Sequence, residues 1–267
     1  MLIGLYLNRL TLSSYRPNTV DLRRRVLTNF ERTLDPRGVI DASRFDCEAF
    51  LARDLKPGSR RVYRSTLRHF YAWTVEEGFL EIDPAIKVPP IRVPKGTPRP
   101  LSDQQLAQAL AAADQRTHAW LLLMWLAGLR CCEVSGLRPD DLVRTEGGWL
   151  LMLREEKGGT AGVVPAHEAV VAALLDLPTR SGLWWGCTPK HVSQFTAAFL
   201  RASGVDATSH QLRHSAATSW LRVSGHDLLT TSKLMRHKSV DTTTIYAALD
   251  PTRPTEVVRL VKAPGGS

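Results

Sequence analysis

Residues 209–249 read SHQLRHSAATSWLRVSGHDLLTTSKLMRHKSVDTTTIYAAL. Thr208 or Ser209 caps a helix predicted over 210–223, which puts His210 and Arg213 one turn apart on one face. Both then lie near the positive N-terminus of that helix, a location that favours an anion. A further helix is expected over 228–235, and His237 follows it. Asp241 caps a last helix that carries Tyr246 and stops before Pro251. His and Arg are groups that surround and neutralise a phosphate, and Tyr is a nucleophile once it is activated.

Working outward, the chain upstream divides at its prolines. Val88–Pro100, VPPIRVPKGTPRP, has five prolines in thirteen residues. Such a segment is extended and semi-rigid, and it reads as a linker over 88–100 between domains at 1–87 and 101–267. Residues 1–87 are expected to hold four helices, near 3–10, after Pro17, from about 41–43, and over 59–77. Val20, Leu27, Phe30 and Leu34 point to a core, as do Phe45 and Phe50. Val62, Thr66, Phe70 and Trp73 share one face of the fourth helix. Arg60, Arg64 and Arg68 line its other side at i, i+4, i+8, and Arg23, Arg24 and Arg25 add charge on the second helix. Between Asp54 and Glu76 there is no acidic residue to neutralise the row.

The formal net charge is +9. The first hundred residues carry 18 Lys and Arg against 11 Asp and Glu, and the rest carry 17 against 15. A polyanionic partner fits this balance, with the first hundred residues as its electrostatic grip. Phosphate contacts are expected from the two arginine groups and from Arg92 and Lys95 in the linker. The four cysteines have no metal-site spacing and read as reduced thiols in an intracellular protein. The N-terminus lacks the features of a signal peptide, and the apolar run 119–129 is too short to span a bilayer, so no membrane is expected.

In the C-terminal domain, Ser102 and Gln105 form a capping box for a helix ending near Ala113. An apolar helix over 119–127 ends at Gly128, and Arg130 and Glu133 follow. Residues 149–154 and 161–165 read as a β-hairpin whose turn carries Lys157. Helices are expected at 167–177 and 193–202. Glu133 reads as an orienter of Arg130 or a helix cap, His214 and His226 as structural, and Trp184 and Trp185 as core or interface residues. Tyr6, Tyr15, Tyr63 and Tyr71 are poor nucleophile candidates because they sit in the N-terminal domain.

In this order, Arg130, Lys157, His210, Arg213, His237 and Tyr246 resemble the catalytic set of the tyrosine recombinase (phage-type integrase) family. GLRCCEVSGL at 128–137 resembles its first-Arg box, HQLRHSAAT at 210–218 its second box, and LMRHKSVDTTTIYA at 234–247 its third-His and Tyr box. Two positions depart from the pattern: Arg236 stands where the family usually has Gly, and Ala247 follows the Tyr. The resemblance spans nearly the whole chain. It implies a mainly α fold with a small antiparallel β-sheet, comprising a helical core-site-binding domain and an α+β catalytic domain.

The resemblance also implies a mechanism. Tyr246 attacks a DNA phosphodiester to leave a 3′-phosphotyrosyl bond. Arg130, Arg213 and His237 hold the non-bridging oxygens, His210 accepts the proton and Lys157 is the general acid. The bond energy is conserved in the covalent link, so no metal or nucleotide cofactor is expected; the sequence has neither a GKS/T loop nor an acidic Mg²⁺ cluster. The expected partners are double-stranded DNA at core or attachment sites, a homotetramer on that DNA and a directionality factor, in the bacterial cytoplasm at the nucleoid. Relatives that use distant accessory sites have an additional arm-binding domain before the second helix, and the expectation here is that it is absent. The resulting expectation is a phage or mobile-element integrase. The alternatives are a Xer-type chromosome dimer resolvase, a type IB topoisomerase and a non-catalytic DNA-binding protein.

Overall fold

A computed structural model describes residues 1–94, 99–154, 162–179, 182 and 184–236. Lys95, Lys157, His237 and Tyr246 lie outside the described residues. The chain divides into two compact units, Met1–Gly96 and Thr97–Ser267.

The first unit is built from α1 (Leu2–Leu12), α2 (Pro17–Leu34), α3 (Arg44–Ala52) and α4 (Pro57–Glu76). Proline at the first position of α2 and α4 fits because that residue's N–H has no helical partner to lose. Ser43 caps α3 by accepting from the Asp46 N–H, and Asp46 returns the bond to the Ser43 N–H. The Tyr6, Phe30, Phe50, Phe70, Tyr71 and Trp73 rings pack edge-on or tilted against one another in one core. Truncating one such side chain to Ala costs about 3–5 kcal/mol.

Two expectations for this unit are corrected. Phe45 is 78% exposed, not inward. It precedes Cys47 by two residues, which turns it roughly 200° away from the face that Cys47, Phe50 and Leu51 bury. Val62 is also exposed; the inward face of α4 is Thr66, Leu67, Phe70, Tyr71, Trp73 and Thr74.

The second unit contains α5 (Asp103–Ala112), α6 (Gln115–Trp125), α7 (Cys131–Gly136), β1 (Leu142–Thr145), β2 (Gly148–Leu153), β3 (Gly162–Pro165), α8 (Glu168–Leu175), α9 (Pro189–Ala202), α10 (Ser209–Val223) and α11 (Leu228–Leu234). The apolar run at 119–129 lies only partly in α6, which begins before the run and ends at Trp125, short of the expected 127. Asp114 caps it by accepting from the Thr117 N–H at 2.7 Å. The sheet is antiparallel in the order β1-β2-β3. The expected hairpin is its β2 and β3, paired with Leu151 opposite Val164 and Met152 opposite Val163; β1 is an additional strand. Leu151 and Leu153 face the core, whereas Met152 and Val163 are exposed. Alternation is weak in the sequence because the outward positions are apolar too.

The second core gathers Trp120, Leu123, Leu129, Leu151, Val164 and Leu212 from helices and sheet alike. Trp184 and Trp185 are buried in it, and the Trp185 indole N–H donates to the Val134 carbonyl of α7. That bond fixes the short helix on which the arginine site is built. No described helix is long and apolar enough to cross a membrane.

Candidate active site

Arg130 occupies the N-cap position of α7, two residues after Gly128. Gly128 has φ +58, and a Cβ there would come within 2.7 Å of the Trp220 ring. A glycine is therefore required both by the left-handed backbone and by the close approach of α10. Glu133, one turn into α7, closes a capping box on Arg130. Its Oε2 accepts the Arg130 backbone N–H at 2.7 Å, and its Oε1 accepts Arg130 Nη1 at 2.9 Å. Glu133 thus both caps the helix and orients the guanidinium.

Arg213, one turn into α10, has a side chain only 3% exposed. Its guanidinium donates to the Gly128 and Met235 carbonyls. It therefore ties the turn before Arg130 to the turn that leads to His237. Arg213 Nη1 is 3.9 Å from Glu133 Oε2, an ion pair beyond hydrogen-bond reach. A third arginine completes the cluster. Arg236 Nη2 lies 2.7 Å from Glu133 Oε2, and Arg236 Nη1 lies 3.0 Å from the Leu234 carbonyl. Its side chain is 10% exposed, and its backbone sits at φ +52. A non-glycine residue there costs about 1–2 kcal/mol.

One carboxylate thus faces three guanidiniums. Burial alone would raise the Glu133 carboxyl. The Arg236 charge, the Arg130 backbone N–H and the Arg213 and Arg130 charges outweigh burial and hold it below its ordinary value. The cluster keeps a net charge of two positives, complementary to an anion.

His210 lies one turn before Arg213, and its ring packs edge-on against that of His214, with centroids 4.3 Å apart. Desolvation, then the Arg213 and Arg130 charges, push the His210 imidazole below its ordinary value. Burial, then His210 and Arg213, push His214 down to about 4. Both shifts favour the neutral imidazole, which retains a nitrogen able to accept a proton. The structure brings Arg130, His210 and Arg213 together.

The basic residues of the first unit occupy less open positions than their spacing implies. Arg64 donates to the Val88 carbonyl through Nε at 3.0 Å and Nη2 at 2.6 Å. Arg68 donates to the Ala85 and Ile86 carbonyls, and Arg60 to the Arg53 carbonyl. The row finds partners in backbone oxygens, which no charge pattern reveals. Arg23 is buried, donating to the Tyr6 hydroxyl and stacked over Tyr15. Arg24, Arg25 and Arg92 are exposed.

Comparison with known proteins supplies the class. The model of the Phage integrase family matches residues 186–253, and that of the phage integrase N-terminal SAM-like domain matches residues 3–78. Tyrosine recombinase XerC of Neisseria meningitidis serogroup C is 33% identical over 235 residues, covering 79% of this chain and 76% of the relative. Tyrosine recombinase XerD of Caulobacter vibrioides is 28% identical over 264 residues, covering 84% and 85%. A lambda integrase tetramer bound to a Holliday junction superposes with a TM-score of 0.75 at 18% identity, covering 92% of this chain and 76% of that one. The family models and the relatives together define the class, an enzyme of DNA strand cleavage and rejoining. The chain belongs to the tyrosine recombinase family and is a site-specific tyrosine recombinase. Members of this family cleave and rejoin DNA through a phosphotyrosyl intermediate.

Proposed function

We propose that the cluster around Glu133 binds the scissile phosphate of a short DNA core site and that Tyr246 attacks it. The observation that carries this reading is the convergence of Arg130 and Arg213 beside one carboxylate with net positive charge left over. A pentacoordinate phosphorane carries more negative charge than the diester, so fixed guanidinium forks stabilise it more than the ground state. The Tyr246 oxygen bonds to phosphorus, and the 5′-oxygen leaves with a proton from Lys157. His210, whose surroundings favour the neutral imidazole, accepts the phenol proton, and His237 donates to a non-bridging oxygen. The test is a nicked suicide duplex carrying the cognate site. The expected result is an SDS-resistant adduct formed in EDTA, with the DNA mapped by mass to the peptide containing Tyr246. A cleavage that stops in EDTA, or an adduct on another residue, would overturn the reading.

The DNA grip is assigned to both units. In the first, Arg24 and Arg25 are the open members of the basic run. Replacing both by Ala is expected to weaken duplex binding and to reduce the slope of log K against log salt by about 2. Titrations at several salt concentrations check this, and an unchanged slope removes these residues from the interface. Arg60, Arg64, Arg68, Arg92 and Lys95 complete the proposed contact set. For Arg64 and Arg68 the contact is indirect, since they hold the backbone at 85–88 from which the linker departs.

Assembly as a homotetramer on DNA, in the bacterial cytoplasm, follows from the need to exchange strands between two duplexes. Two biological settings use that chemistry. The departures at Arg236 and Ala247 support an integrase of a phage or mobile element acting with a directionality factor on short attachment cores. The names of the bacterial relatives, XerC and XerD, support a chromosome dimer resolvase. Recombination between paired plasmid sites decides between them: an attachment core from flanking DNA marks the first, a chromosomal dimer-resolution site the second.

A further inference from the structure

Arg236 is large where its backbone conformation favours glycine, and Gly162 is the smallest residue where no conformation demands it. The two facts are linked. Gly162 opens β3 with a φ outside the left-handed region, yet a Cβ on it would lie 2.8 Å from Arg236 Cδ and 3.8 Å from Arg236 Cγ. The glycine makes room for the arginine's stem. The stem cannot simply swing aside, because its guanidinium is held at 2.7 Å by Glu133 and at 3.0 Å by the Leu234 carbonyl.

We propose that Arg236 is a positioning residue of the phosphoryl-transfer site, pinning the Glu133 carboxylate so that Arg130 and Arg213 present their forks to the phosphate. The division of bonds at Glu133 carries the argument. Oε1 takes Arg130 Nη1, while Oε2 takes the Arg130 N–H and Arg236 Nη2. Arg213 Nη1 stays 3.9 Å from the same Oε2 and keeps its bonds to the Gly128 and Met235 carbonyls. With Arg236 gone, Oε2 has a vacant acceptor position; the Arg130 guanidinium is already engaged on Oε1, and Arg213, 3.9 Å away, is the guanidinium that can close on Oε2. That movement would draw the fork away from its carbonyls and from the phosphate. The inference rests on the reading that Arg130 and Arg213 bind the scissile phosphate.

Four proteins test it, in single-turnover cleavage of the suicide duplex at saturating DNA, with duplex affinity measured alongside. Arg236→Gly suits the left-handed backbone and is expected to fold normally. Its cleavage should slow about 10- to 100-fold with affinity within about 2-fold, because misplacing a fork costs rate and not binding. Arg236→Lys should recover part of the rate by keeping a cation beside Oε2. Gly162→Ala should slow cleavage by displacing Arg236, and in the Arg236→Gly background it should have no further effect. Wild-type cleavage by Arg236→Gly overturns the proposal. So do equal losses of rate and affinity, which would make Arg236 a phosphate contact, and so do multiplying effects of the two glycine-site variants. If the wild-type protein itself forms no adduct, the phosphate-site reading fails instead.

Discussion

Tyr246→Phe is expected to bind the core duplex with wild-type affinity and to give no covalent adduct. The substitution removes one oxygen and leaves the ring, so packing and DNA contacts are conserved while the nucleophile is lost. A phenol with a pKa near 10 is a weak nucleophile at pH 7 unless a base takes its proton. Phenylalanine offers no oxygen for His210 to activate. The expected loss is on the order of 10⁶ in cleavage rate, the scale reached when an enzyme's only nucleophile is deleted. Two of the remaining tyrosines are enclosed in a core. Tyr6 and Tyr71 are buried in the first unit, and burial raises both phenols. Gel-resolved adducts over a long time course measure the effect; an adduct in the Phe variant would remove Tyr246 from the mechanism.

Arg213→Ala is expected to lose both catalysis and stability. Its fork ties together the Gly128 and Met235 carbonyls, which belong to turns 107 residues apart in sequence. Removing it takes a donor from each of two carbonyls in a buried place, where Gly128 keeps a 3.5 Å contact to Arg236 Nη2, and takes one positive charge from beside Glu133. The stability cost is about 3–5 kcal/mol, as for breaking a buried ionic network from one side. Cleavage should fall by about 10³ in the fraction that remains folded, the upper range for deleting one oxyanion donor. Arg213→Lys separates the two effects. It keeps the charge, so stability is partly restored, but a single ammonium cannot span both carbonyls, so cleavage stays low. Thermal melting and single-turnover cleavage on the same preparations check this. A lysine variant that cleaves at the wild-type rate would show that charge alone suffices.

Most helices were legible in the chain because their signals are local. Ser43 with Asp46, Ser102 with Gln105 and Thr208 with Gln211 are capping pairs three residues apart, and each starts a helix where its spacing places it. Pro17 marks one more start, and α4 begins at Pro57, two residues before the expected 59. The positions of Arg130, His210 and Arg213 were legible through the order of motifs, and Glu133 through its spacing from Arg130. Phe45 was misjudged because hydrophobicity states a preference for burial without saying which face of a helix is covered. Arg23 and the Arg60, Arg64, Arg68 row show the same limit for charge: their partners are a phenol and backbone carbonyls, and neither appears in a charge pattern.

The sequence by itself therefore determined the class: a mainly helical chain with a hairpin, and Arg, His and Tyr motifs in the order of a tyrosine recombinase. Only the tertiary structure decided that Glu133 is shared among Arg130, Arg213 and Arg236, that Gly162 makes room for Arg236, and that Arg213 joins two distant turns. The physical reason is range. A cap or a turn is settled among residues three or four apart, whereas Glu133 meets Arg236 across 103 residues, and that contact exists only once α7, α10 and β3 have packed around a common core.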